Sequence, residues 1–153
     1  MLENYLDISL IEPALKAATK EGILEEISSL VHKRYPSISK ETIDTALLER
    51  EHIDSTGIEK GIAIPHAKIE GMERLAISIS IARDGIDFNS HDKALTFLFF
   101  TLLAPKNEVV DHIKVLARLA KLLRDESLRK KLTGARTAEE IYNTMIEADK
   151  RSC

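Results

Sequence analysis

The chain has 153 residues, 44% hydrophobic and 31% charged, which are the proportions of an ordinary globular domain and exclude disorder, fibres and repeat arrays. With 22 basic against 25 acidic side chains the net charge is −3, and aromatics are only 5% with no tryptophan, so neither a basic field nor a stacking face recommends nucleic acid as a partner. The single cysteine, Cys153, excludes an intrachain disulfide framework, and the lack of a long apolar run or a signal-like start leads to the expectation of one cytoplasmic domain over residues 1–153.

Residues 21–35 space Leu24, Ile27, Leu30 and Val31 at helical intervals and stop before Pro36. Ser39 is a suitable N-cap for a second helix carrying Ile43, Ala46, Leu47 and then Arg50 along one face, toward a turn at Ser55, Thr56 and Gly57. The octapeptide GIAIPHAK, residues 61–68, follows. Proline lacks an N–H and fixes its φ, so the apolar run Ile62-Ala63-Ile64 is expected to end as a strand at Pro65, delivering His66 at the strand end. Strand ends in α/β proteins open onto binding crevices, although the octapeptide alone equally admits a solvated loop histidine.

Residues 75–82 alternate strictly, with Leu75, Ile77, Ile79 and Ile81 on one side, and predict a strand. The run 94–103, ALTFLFFTLL, is apolar in both registers and predicts a strand buried on both faces. Residues 108–123 form the clearest helix, with Val109, Ile113, Leu116, Leu119, Ala120 and Leu123 as its expected apolar stripe. The basic stretch 124–131 reads as the solvated face of a short helix. A last helix starts after Thr137, which forms a capping box with Glu140 and is followed by Ile141, Met145 and Ala148 on the buried side. Strands separated by helices, one of them buried on both faces, predict an α/β fold: a three-layer domain with a mixed central β-sheet flanked by helices on both faces.

Five histidines carry most of the available chemistry. His32 and His52 lie near helix ends, where an imidazole suits the macrodipole, and His91 lies in a polar turn. His112 falls within the stripe of the 108–123 helix, so it is either a core histidine satisfied by a carbonyl or the wall of a pocket. No phosphate loop, dinucleotide fingerprint, zinc-protease helix or serine elbow is present, and a pair of imidazoles without a carboxylate is poor support for a metal. Histidine itself remains as a nucleophile, because neutral imidazole has a free lone pair. A phosphoryl group is its natural cargo when an arginine is near.

Residues 46–68, ALLEREHIDSTGIEKGIAIPHAK, resemble the active-site region of phosphotransferase-system enzyme IIA domains of the fructose/mannitol type, which include a nitrogen-regulatory branch. The LLERE helix end, the STGI turn and GIAIPH coincide in order and spacing. The segment VVDHIKVLARLAKLL resembles the family's second-histidine helix, and residues 84–88 resemble its segment between strands. The resemblance implies a phosphotransferase component that needs no cofactor or metal. His66 would accept a phosphoryl group from an HPr-type phosphocarrier, His112 would flank it, Arg50 would stabilise its charge, and Thr56 would supply a further donor. The group would pass to a cysteine of a IIB domain, with association to a membrane IIC complex allowed but no membrane insertion. Alternatively, phosphorylation would switch affinity for a regulated protein, with no IIB acceptor downstream. The position after the histidine is often glycine in the family and is Ala67 here, which is tolerable unless that backbone needs a positive φ. Cys153 does not stand in a IIB-like context, so both partners are expected in trans.

Overall fold

In the computed structural model, which describes residues 2–152, a 3₁₀ turn at Leu2–Asn4 leads into β1 (Leu6–Glu12), followed by α1 (Lys20–Arg34) and α2 (Lys40–Ile53). Next come β2 (Ile62–Ala63), β3 (His66–Ile69), β4 (Ala76–Ile86) and β5 (Thr96–Pro105), and then α3 (Val110–Leu122), α4 (Glu126–Gly134) and α5 (Ala138–Arg151). Cys153 and the expectation attached to it lie outside the described residues.

The strands form one sheet in the order β1-β4-β5-β2, with β3 also on β5. β4 and β5 are antiparallel, whereas β1, β2 and β3 run parallel to their neighbours, so the sheet is mixed as expected. Helices cover both faces. On one side α1 and α2 place Ile23, Leu24, Ile27, Ile43 and Leu47 against Phe99 and Leu103. On the other, α3, α4 and α5 place Leu119, Leu132, Ile141 and Met145 against Ile77, Ile79 and Phe100. Phe99 and Phe100 are adjacent yet belong to opposite cores, which is the pleat acting on a strand that is apolar in both registers. Each such side chain contributes about 1.5–3 kcal/mol by leaving water, so β5 stabilises both halves.

The caps form where the sequence placed them: Ser39 accepts from the amide of Thr42, and Thr137 from that of Glu140. The basic stretch lies largely on α4, where Leu128 and Leu132 are the buried residues.

Four expectations change. β1 was not foreseen; it is an edge strand with a register shift between Leu6 and Ile11, which erases the alternation a strand normally shows. β4 continues past residue 82 to Ile86 through another irregularity, and takes in part of the segment expected between strands. Gly85, with φ of +73°, permits that bend. The strand ends at Ala63, one residue sooner than expected, and resumes directly after Pro65, so His66 begins β3 instead of following the end of a strand. The pairs Ile62 with Leu98, Ala63 with Phe99 and His66 with Leu102 keep one register across the gap. Finally, the buried face of α3 is rotated from the expected stripe: Val115 and Leu122 join the expected His112 and Leu119 inside, whereas Val109 and Ile113 are exposed. Apolar residues surround most of the first turns of α3, so apolarity alone did not select the face.

Candidate functional site

Alternation along β3 positions the site. Ala67 and Ile69 enter the core beneath α1 and α2, which turns His66 and Lys68 to the opposite side, toward α3. Ala67 is not among the non-glycine residues with positive φ, so its methyl group is accommodated without backbone strain.

The His66 ring is held from two directions. Its Nδ1 lies 2.8 Å from the carbonyl oxygen of Ile64, which stands in the gap between β2 and β3, so Nδ1–H donates and the lone pair resides on Nε2. That nitrogen meets the Nε–H of Arg50 at 3.3 Å. Arg50 comes from the last turn of α2 and also donates from Nη1 to the carbonyl of Asp54 at 2.9 Å, which anchors the guanidinium at the helix end. His112, projecting inward from α3 and only 9% exposed, stands edge-on to His66 with ring centroids 5.4 Å apart. An open depression of about 350 Å³ is bounded by Arg50, Ile53, His66, Lys68 and His112.

Burial pushes both imidazoles below their ordinary pKa. For His66 the positive charge of Arg50 adds to that effect against the opposing hydrogen bond to Ile64. For His112, His66 and Lys68 act in the same direction as burial. Both rings therefore stay neutral at neutral pH, and one lone pair faces a fixed cation across an open pocket. Such a site can take up an electrophilic, anionic group on nitrogen and spread its charge over Arg50 and His112.

Three of the four residues expected at the site, His66, His112 and Arg50, are thus together. Thr56 is close in sequence but buried. Its hydroxyl donates to the Glu51 carboxylate, and its amide donates to the same group at 3.1 Å. Its carbonyl accepts the N–H of Ile64 at 3.0 Å. The other histidines do not join the pocket. His32 bonds the carbonyl of Ile38 and His91 that of Ser55, while His52 lines a separate depression with Lys20 and Glu51. Sequence reasoning missed Glu51. The spacing Ile43, Leu47, Glu51 offered a signal, since it sets a carboxylate on the apolar row of α2. Among the described residues no group of three or more histidine, cysteine, aspartate or glutamate side chains is disposed to hold a metal ion, and no helix is long and apolar enough to cross a membrane.

Comparison with known proteins agrees with this geometry. The family described as "Phosphoenolpyruvate-dependent sugar phosphotransferase system, EIIA 2" matches residues 4–148. A nitrogen regulatory protein of Bradyrhizobium diazoefficiens is 36% identical over 135 residues, covering 88% of each chain. A fructose-specific EIIA component of Haloferax volcanii is 34% identical over 140 residues, covering 92% of this chain and 89% of its own. The crystal structure of the nitrogen regulatory protein IIA-Ntr from Neisseria meningitidis superposes with a TM-score of 0.87 at 29% identity, over 94% of this chain and 97% of that one. The fold, the placement of the two histidines and these matches lead to one conclusion: the chain belongs to the type 2 enzyme IIA family of the phosphoenolpyruvate-dependent sugar phosphotransferase system.

Proposed function

We propose that Nε2 of His66 is the phosphoryl-accepting atom of this carrier. The observation that supports it best is the hydrogen bond from Nδ1 to Ile64, which leaves Nε2 as the nucleophilic nitrogen and aims it into the pocket beside Arg50. The donor is the phosphohistidine of an HPr-type phosphocarrier. In an in-line displacement the Nε2–P bond forms as the donor's N–P bond breaks, and the bonding pair returns to the donor imidazole. His66 then carries substituents on both nitrogens and becomes cationic, and the Ile64 carbonyl stabilises that charge. Arg50 and His112 meet the phosphoryl oxygens, so most of the work is positioning and electrostatics.

The reverse polarity discharges the site. A thiolate of a IIB domain attacks phosphorus, the N–P bond breaks, and neutral His66 is regenerated. Whether this output feeds sugar uptake at a membrane IIC complex or acts as a regulatory signal, the same chemistry serves, and relatives of both kinds match at nearly equal identity. A switch without any acceptor gains no support from the site. Thr56 serves this reaction from behind the histidine, since both its donors are committed to Glu51. Residues 1–153 work as one domain in this reading, because both cores rest on the same sheet.

Incubation with a phosphorylated HPr-type carrier, followed by mapping of the modified residue, tests the proposal. Acid-labile phosphate on His66 that disappears in His66→Ala is expected, whereas wild-type transfer in folded His66→Ala refutes it.

A further inference from the structure

Behind the phosphoryl pocket lies a buried ion pair that the transfer chemistry does not touch. The Glu51 side chain is 2% exposed and its Oε2 lies 2.6 Å from Nζ of Lys20, on the first turn of α1. The same ammonium sits 4.7 Å above the ring of Phe88, which fixes its position. The carboxylate also accepts both donors of Thr56, its amide and its hydroxyl. From Thr56 the connection continues forward, because its carbonyl holds the amide of Ile64 at 3.0 Å. The carbonyl of Ile64 then accepts Nδ1–H of His66.

We propose that Glu51, neutralised by Lys20, is a positioning residue that fixes the tautomer and aim of the His66 ring through Thr56 and Ile64. This inference rests on the phosphoryl-carrier reading of His66.

A buried carboxylate is a poor choice for packing alone, since an apolar side chain of similar volume stabilises a core at least as well. Here its hydrogen bonds from Thr56 hold the residue whose carbonyl positions Ile64, and the carbonyl of Ile64 selects the ring nitrogen. The rest of the turn between α2 and β2 is tied elsewhere, Ser55 to the carbonyl of Phe88, Gly57 to the amide of His91 and Lys60 to the carboxylate of Asp92, whereas Glu51 holds Thr56 itself. Without Glu51, Thr56 loses the acceptor for both its donors, and the carbonyl that holds the amide of Ile64 loses its anchor. Lys20 has a complementary task. It cancels a negative charge that would otherwise stand behind a dianionic group on His66.

The test uses ¹⁵N-histidine NMR of the unphosphorylated full chain alongside single-turnover transfer from a phosphorylated HPr-type carrier. In the wild type His66 is expected as a single Nδ1–H tautomer. Glu51→Ala should give a mixture of tautomers and slow transfer by about 10- to 100-fold, the scale of a misaimed reacting group, with the carrier's KM unchanged. Glu51→Gln keeps an acceptor for Thr56 and should restore the tautomer and most of the rate. A folded Glu51→Ala with wild-type tautomer and rate overturns the proposal. If Glu51→Ala fails to fold, Thr56→Val removes only the hydroxyl donor and should move both readouts in the same direction by less; no movement in either overturns the proposal. Should phosphate appear on another residue, the carrier reading falls, while the tautomer still decides whether Glu51 aims His66.

Discussion

Replacing Arg50 by alanine isolates the electrostatic part of the site. A phosphoryl group on Nε2 takes the place of the lone pair that the Arg50 Nε–H meets at 3.3 Å, so its oxygens come into direct range of the guanidinium. At about 4 Å and an effective dielectric near 20, one unit of phosphoryl charge interacts with that cation by about 4 kcal/mol. The pocket is open, and water offsets part of this when the cation is removed. Losing one charge-assisted hydrogen bond costs about 1.5–3 kcal/mol, and losing a donor to a developing oxyanion about 2.7–4 kcal/mol. A loss of about 2–4 kcal/mol slows transfer roughly 30- to 1000-fold. Stability should change little, since the fold loses only the exposed bond from Nη1 to Asp54 at the end of α2 and the long one from Nε to His66. Rapid-quench measurement of phosphate arriving from the labelled carrier reads the rate, and circular dichroism confirms the fold. Arg50→Lys keeps the charge without the fixed fork and should fall between the two. A folded Arg50→Ala that transfers at the wild-type rate would remove the guanidinium from the mechanism.

His112→Gln should still be phosphorylated on His66 but about 10- to 100-fold more slowly, because the flexible amide misplaces the donor that the imidazole holds toward the phosphoryl oxygens; unchanged kinetics would reduce His112 to a packing residue. The depressed pKa values of His66 and His112 also tie stability to pH. Below the ordinary value of 6.5 the unfolded chain binds protons that the folded rings refuse, so stability should fall as pH drops below 6.5 toward the folded values, with no contribution above it. Melting curves across that range should flatten in His112→Gln, and parallel curves would refute the linkage.

Much of the architecture was legible because the strongest patterns answer to one physical cause each. β5 is apolar in both registers and therefore central; Ser39 and Thr137 precede helices and cap them. β1 was not legible, since its irregular pairing leaves Ile8 exposed and breaks the alternation that betrays a strand. His112 faces inward as its place on the stripe led one to expect, but α3 carries apolar residues on several sides of its first turns, and only the tertiary structure shows that Val110 and Ile113 face outward. At the site, His66, Arg50 and His112 were readable from their motifs. The orientation of Thr56 was not, because a hydroxyl beside a pocket can turn either way, and what turns it here is a carboxylate five residues upstream.

The interrupted strand that carries His66 has a consequence for how partners come and go. Among the strands β2 and β3 pair only with β5, and the turn after α2 covers the outer side of β2 through the bridge between Gly57 and Ala63, so the open border is short and belongs to β3. An unbroken border strand invites another chain to extend the sheet, a contact that is hard to undo. The carbonyl of Thr56 already takes the outward amide of Ile64, and the exposed Lys68 sets a charge on what remains of that row. A relay protein must meet a donor, discharge to an acceptor and let both go. With its border covered and shortened beside the histidine, the chain would present a phosphoryl group on His66 through side chains that separate easily and would withhold the backbone ladder that makes an encounter last.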